Sequence, residues 1–204
     1  MILQVFLDNP LVGIILFASV AFAISVHEAA HAYTAYWLGD DTPKLQKRLT
    51  LNPLAHLDKW GTLLIVLFGI GWGRPVIFNP FNLKNLRRDV TLVSLAGPLS
   101  NIVMAVIVAL MLRFVSFDSA LDIIGRNFIY LNVILAVFNM LPIEPLDGFK
   151  VVGGILPPHL AYQWEETRRY GMFILIFILI TGMVGKIVFP LVNLIVNYIM
   201  MLVV

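Results

Sequence analysis

The chain has 204 residues, of which 60% are hydrophobic and 13% charged, with a net charge of +2 and no cysteine; its mean hydropathy is +0.91. A soluble domain of this length has too little interior to hide so much apolar surface, so the composition predicts an integral membrane protein in contact with a lipid bilayer. Disulfides, thiolate metal ligands and thiol nucleophiles are excluded, which leaves His, Asp and Glu as the side chains able to hold a metal. The cations lie in short clusters between apolar runs, a pattern of membrane topology that assigns no nucleic-acid partner and no oligomeric state.

The segment Met1 to Pro10 carries Asp8 and no basic residue. No small-residue cleavage site follows the first apolar run, so that run is expected to be a retained membrane helix and not a cleaved signal peptide. It extends from Pro10 to Leu38, close to the upper length of a tilted transmembrane helix, and contains His27-Glu28-Ala29-Ala30-His31. Residues four apart on an α-helix share a face, so the two imidazoles of H-E-x-x-H can grip one metal ion while the carboxylate between them reaches a water bound to it. An ionisable cluster at membrane depth is costly and is seldom kept without use.

After Gly39 come Lys44, Lys47, Arg48 and Lys59, and this excess of positive charge over the amino terminus predicts a cytoplasmic face. The glycine-interrupted apolar run Trp60 to Trp72 is too short to span. Because Arg74, Lys84, Arg87 and Arg88 follow with the same sign of charge, it is expected to be a re-entrant segment. Within the second cluster, Val76 to Phe78 is a β-prone run between Pro75 and Pro80, readable equally as an edge strand or as a loop.

Thr91 to Phe114 is the second expected span, followed by Asp118, Asp122 and Arg126 in a near-neutral connection suited to the outer face. Ile123 to Met140 is the third. It runs into Leu141-Pro142-Ile143-Glu144-Pro145-Leu146-Asp147-Gly148, where prolines and a glycine must break the helix as two carboxylates appear. From Tyr170 onward, Gly182, Gly185, Lys186 and Pro190 interrupt the last apolar run, so two shorter helices are expected in place of one. The predicted architecture is an all-α polytopic membrane protein in one domain, 1–204. A three-helix core lies at about 10–155 with its re-entrant segment, and further membrane helices lie at about 166–204.

A catalytic zinc takes three protein ligands and keeps a fourth position for water. The down-up-down order of the three spans carries Asp147 to the side of His31, which makes it the expected third ligand, with Glu144 the alternative. His56 and His159 lie in loops and are expected to serve there as surface or substrate-loop residues. The neutral donor placed to meet a developing oxyanion is Asn101, one turn beyond Gly97; the same amide could instead bond between helices.

HEAAH at 27–31, AGPLSN at 96–101 and NMLPIEPLDG at 139–148 resemble, in order and spacing, the three hallmark motifs of the site-2 protease family. The resemblance covers residues 10 to 155. Leu51-Asn52-Pro53-Leu54-Ala55-His56-Leu57-Asp58 and Gly73-Arg74-Pro75-Val76 resemble its small bacterial and archaeal branch, and neither the PDZ module nor the CBS pair that many members carry is expected in this chain. The resemblance implies one Zn2+ held by His27, His31 and Asp147, Glu28 as catalytic base, and a place for Asn101 near the site. It further implies hydrolysis of peptide bonds within or beside the membrane segments of single-span membrane proteins, from a multi-pass protein of the cell membrane whose site opens toward the cytoplasm. Two other readings use the same residues, a divalent-metal transporter and a catalytically silent binder of membrane proteins; only hydrolysis needs the base Glu28.

Overall fold

The computed structural model describes residues 2–69, 71–115 and 119–203. A short helix α1 (Ile2–Asp8) turns at Asn9, whose side chain accepts from the Val12 amide, into α2 (Pro10–Trp37), which opens on proline. At 1.5 Å per residue its 28 residues reach about 42 Å. Single turns α3 (Thr42–Leu45) and α4 (Pro53–His56) lead to α5 (Lys59–Phe68), then come α6 (Leu86–Phe114), α7 (Ser119–Asn139), α8 (Asp147–Ile155), α9 (Pro158–Glu166), α10 (Arg168–Ile180) and α11 (Met183–Met200). Helices α2, α6, α7 and α11 are each long and apolar enough to cross a membrane, and the protein is a multi-pass membrane protein.

The three expected spans form, with α6 and α7 starting earlier than their apolar runs. Asn85 caps α6 by accepting from the Arg88 amide, so the charged turn Arg87–Asp89 is helical although hydropathy begins only at Thr91. Helix α7 likewise includes Asp122 and Arg126, which pair at 2.6 Å one turn apart. Asp118, assigned to the same connection, lies outside the described residues. The last apolar run breaks once, at Gly182 with φ +69°, into α10 and α11, while Gly185, Lys186 and Pro190 are accommodated inside α11.

Close approach of the core helices rests on small side chains. Ala23, Ala32 and Ala35 of α2 and Ala105 and Ala109 of α6 are fully buried, as expected where lipid is as apolar as the core and association depends on backbone proximity. Ile129, Val133 and Val137 of α7 pack with Leu175, Val188 and Val192 and so attach the carboxy-terminal helices to the core.

The excursion after α4 is re-entrant. Helix α5 has only ten residues, about 15 Å, is capped at its start by Asp58 and ends at Gly69 in the left-handed region. The returning strand of chain lies so tightly against it that a Cβ on Gly61 would strike the carbonyl of Trp72. Leu57 and Gly73 form an antiparallel bridge and the Arg74 amide donates to the His56 carbonyl at 2.7 Å, so the excursion ends where it began.

Of the two readings of Val76 to Phe78, the structure takes the loop: no strand occurs among the described residues. Side chains instead take main-chain groups on either side of the run. Buried Arg48 donates to the carbonyls of Arg74 (2.8 Å), Pro75 (3.0 Å) and Ala55, while Asp40 accepts from the Asn79 amide at 2.7 Å. Burial pushes the Asp40 carboxyl up, but hydrogen bonds from Thr42, Asn82 and Asn79 outweigh it and hold the group below the usual carboxylate range.

His56 is fully buried and bonds the Thr50 carbonyl at 2.8 Å, so it is part of the scaffold of this loop. Burial, reinforced by the Arg48 guanidinium, holds its imidazole below the ordinary value of 6.5 against the opposing bond to Thr50. The unfolded chain therefore takes up a proton that the folded chain refuses, and stability contributed above pH 6.5 is lost as the pH falls further. The thermal midpoint of the detergent-solubilised chain is expected to drop on acidification below that value, with a shallower dependence in His56→Gln. Equal slopes for the two proteins would rule out His56 as the source.

Candidate metal centre

His27 and His31 point from α2 toward α6, both buried, and α6 meets them with residues spaced by the same four-residue step. The His27 Nδ1–H donates to Asn101 Oδ1 at 2.7 Å and the His31 Nδ1–H to the Val93 carbonyl at 2.6 Å. With Nδ1 carrying the hydrogen in each ring, both Nε2 atoms present lone pairs. Asp147 begins α8 directly after the proline-broken segment and brings its Oδ2 to 3.2 Å from each Nε2. The turn there is tight enough that a Cβ on Gly148 would lie 2.5 Å from the Leu141 carbonyl oxygen.

The two Nε2 atoms are themselves 3.0 Å apart. Three lone-pair donors thus converge with separations of 3.0, 3.2 and 3.2 Å. Tetrahedral zinc with bonds of about 2.0–2.1 Å requires ligand separations of about 3.3 Å. The donor set fits one Zn2+ in size and in chemistry, since two imidazole nitrogens and a carboxylate otherwise face one another unsatisfied in a buried place. Between Asn101 and Val93, Gly97 lies against the rings: a Cβ there would collide with His31 Nε2 and lie 2.6 Å from His27 Nε2.

The centre lines a partly open cavity of about 110 Å³ together with Glu28, Ser94, Pro75, Val76, Asn139 and Lys150. Glu28 Oε2 accepts from the Val76 amide at 2.9 Å, so the loop that Arg48 and Asp40 pin down fixes one oxygen of the carboxylate. Its other oxygen takes no protein hydrogen bond among the described residues.

Of the residues singled out in the sequence, His27, Glu28, His31 and Asp147 come together. Glu144 points elsewhere and pairs with Arg168 at 3.8 Å, tying the broken segment to α10. His159 is exposed on α9. Asn101 lies behind His27: its amide nitrogen donates to the Ala23 carbonyl (3.2 Å) and to Asn132 Oδ1 (2.9 Å), which leaves no hydrogen free for a substrate oxyanion. Asn132, fully buried on α7, belongs to this network and was missed in the sequence; a lone amide inside an apolar span was the available signal.

Membrane helices enclosing a two-histidine, one-carboxylate centre with a glutamate beside it define a membrane zinc metalloprotease. No family profile matches the chain, and no solved structure matches it. Among curated proteins it is 38% identical over 180 residues to one named "Putative zinc metalloprotease YwhC" from Bacillus subtilis (strain 168), covering 84% of this chain and 82% of the relative. It is 31% identical over 196 residues to the Rip2 protein of Mycolicibacterium smegmatis, named in the same words, covering 89% and 72% of the two chains. The chain belongs to the site-2 protease family of zinc metalloproteases.

Proposed function

We propose that the protein performs intramembrane proteolysis, cutting single-span membrane proteins within or next to their membrane segments, with all 204 residues forming one membrane-embedded domain. The observation that supports this most directly is the position of Glu28, which lines the same cavity as the three convergent lone pairs and holds one carboxylate oxygen without a protein partner. His27, His31 and Asp147 would hold the zinc. When bound, zinc supplies an acidified water and polarises the scissile carbonyl. Glu28 removes a proton from the attacking water and returns it to the leaving amine. Asn101 acts as a positioning residue: by accepting from His27 Nδ1 it fixes the ring's tautomer and direction, in place of the oxyanion role expected from sequence.

The enzyme resides in the cell membrane with its site opening to the cytoplasm. The basic clusters at 44–59 and 74–88 support this orientation, since Pro75, Val76 and Phe78 of the second line the cavity and Arg48 of the first bonds the carbonyls of Arg74 and Pro75. A substrate helix must partly unwind to expose a scissile bond, and the loop beside Glu28 is suited to hold it. The amides of Ile77 and Phe78 make no hydrogen bond among the described residues, which leaves them available for strand addition. Ile77→Pro is expected to cut cleavage at least about tenfold while zinc stays bound; unchanged cleavage would remove the loop from substrate binding.

The experiment that tests the function compares membrane-protein fragments in host cells expressing the native chain with those expressing Glu28→Gln. Single-span proteins that persist intact only beside the variant establish proteolysis. Identical fragment patterns from two zinc-loaded proteins would move the assignment to metal transport or silent binding.

A further inference from the structure

Attack of water on a peptide carbonyl moves an electron pair onto the carbonyl oxygen, and stabilising that charge with preorganised donors is a large part of catalysis. With both hydrogens of Asn101 committed to Ala23 and Asn132, the donors must come from elsewhere on the cavity wall. Two polar groups there accept or donate no hydrogen bond and form no ion pair among the described residues. Ser94 is 1% exposed, yet its Oγ has no hydrogen-bond partner among the described residues. It lies on α6 one turn before Gly97 and lines the same cavity as His27, His31 and Asp147. Lys150 stands on α8 one turn after Asp147 and lines the same cavity. Its Nζ is 5.9 Å from the ring centroid of Phe78 on the facing loop and pairs with no carboxylate among the described residues. A buried hydroxyl without a partner and a cation without a counter-ion, on two walls of a cavity that also holds the Glu28 and Asp147 carboxylates and the Asn139 amide, whose nitrogen donates to the Leu135 carbonyl, suit an anion that arrives only during the reaction.

We propose that the Ser94 hydroxyl and the Lys150 ammonium donate hydrogen bonds to the oxyanion formed at the scissile carbonyl, a role that rests on the peptidase reading above. In the first step the oxygen of water bonds to the carbonyl carbon, its proton passes to Glu28, and the carbonyl π pair becomes a lone pair on the oxygen facing Ser94 and Lys150. In the second step that pair re-forms the carbonyl, the carbon–nitrogen bond breaks, and the amine leaves with the proton held by Glu28. Both donors keep their own hydrogens throughout.

The test uses the zinc-loaded full chain in detergent and two synthetic ligands of the same peptide sequence, titrated calorimetrically: a phosphinic peptide, tetrahedral and anionic like the transition state, and a hydroxamate, which binds chiefly through the metal. Ser94→Ala and Lys150→Gln are each expected to weaken the phosphinic peptide about tenfold or more and the hydroxamate less than about threefold, as loss of an oxyanion donor requires. Zinc content and unfolding midpoint qualify every variant as folded. Lys150→Arg, which keeps the charge and the contact with Phe78, is expected to recover part of the lost affinity and supplies a reading if the glutamine variant does not fold. Equal losses for both ligands, or no loss for either, would overturn the proposal while leaving the peptidase reading intact. A native chain that holds zinc but binds neither ligand would overturn both.

Discussion

Glu28→Gln will keep one zinc per chain and lose hydrolysis by about 10²–10⁴-fold, the range expected when a positioned general base is removed. The retention follows from geometry: the converging atoms belong to His27, His31 and Asp147, and Glu28 contributes none of them. The substitution preserves shape, and the new amide can still accept from Val76 through its oxygen, so the loop that closes the cavity stays in place. What disappears is an oxygen able to carry a proton. A transporter using the same ligands would move metal equally well after this substitution, so joint measurement of zinc content, metal uptake and cleavage on the same pair of proteins separates the readings. Zinc loss together with activity would show that Glu28 shapes the ligand set, contrary to the geometry. Normal cleavage by a zinc-loaded variant would remove Glu28 from the base role.

How much of this was legible in the sequence depends on the range of the interaction. Helical periodicity places His27 and His31 on one face regardless of what surrounds them, and the order of three apolar spans carries Asp147 to their side, so the four central residues follow from local rules and topology. The short run after Lys59 was legible as re-entrant because length and flanking charge are both local quantities. The supporting contacts were not legible, because they are decided by which atom of a distant side chain arrives first. Asn101 carried the chemistry of an oxyanion donor, but Ala23, Asn132 and His27 consume its amide across 78, 31 and 74 residues of sequence. Val76 to Phe78 had the composition of a strand, yet Glu28, Asp40 and Arg48 satisfy the backbone on either side of it. The polar residues gathered around the centre stabilise the very loop and helix pair that the chemistry needs.

That dependence is sharpest at Gly97, where a single added methyl is expected to abolish the metal site. Val93, Gly97 and Asn101 follow one another at four-residue steps along α6, opposite His27 and His31 on α2, so the outer two take the Nδ1 hydrogens while the glycine faces the rings. A Cβ at 97 would lie 2.6 Å from His27 Nε2 and 2.6 Å from His31 Cε1, against an ordinary separation of about 3.5–4.0 Å. Relief requires either that α6 withdraw from α2, where Ala23, Ala32 and Ala105 show how closely the backbones pack, or that the imidazoles turn and surrender their bonds to Asn101 and Val93. Either movement misdirects the lone pairs, and disturbing the partners of metal-bound histidines alone typically weakens metal affinity by about 10–100-fold. Gly97→Ala should therefore purify with far less than one zinc per chain while its helix content, read by circular dichroism, matches the native protein, since alanine favours helix over glycine. Stoichiometric zinc with native cleavage in that variant would show that the two helices can part without cost, and the close approach of α2 and α6 would then lose its place in the account of the metal centre.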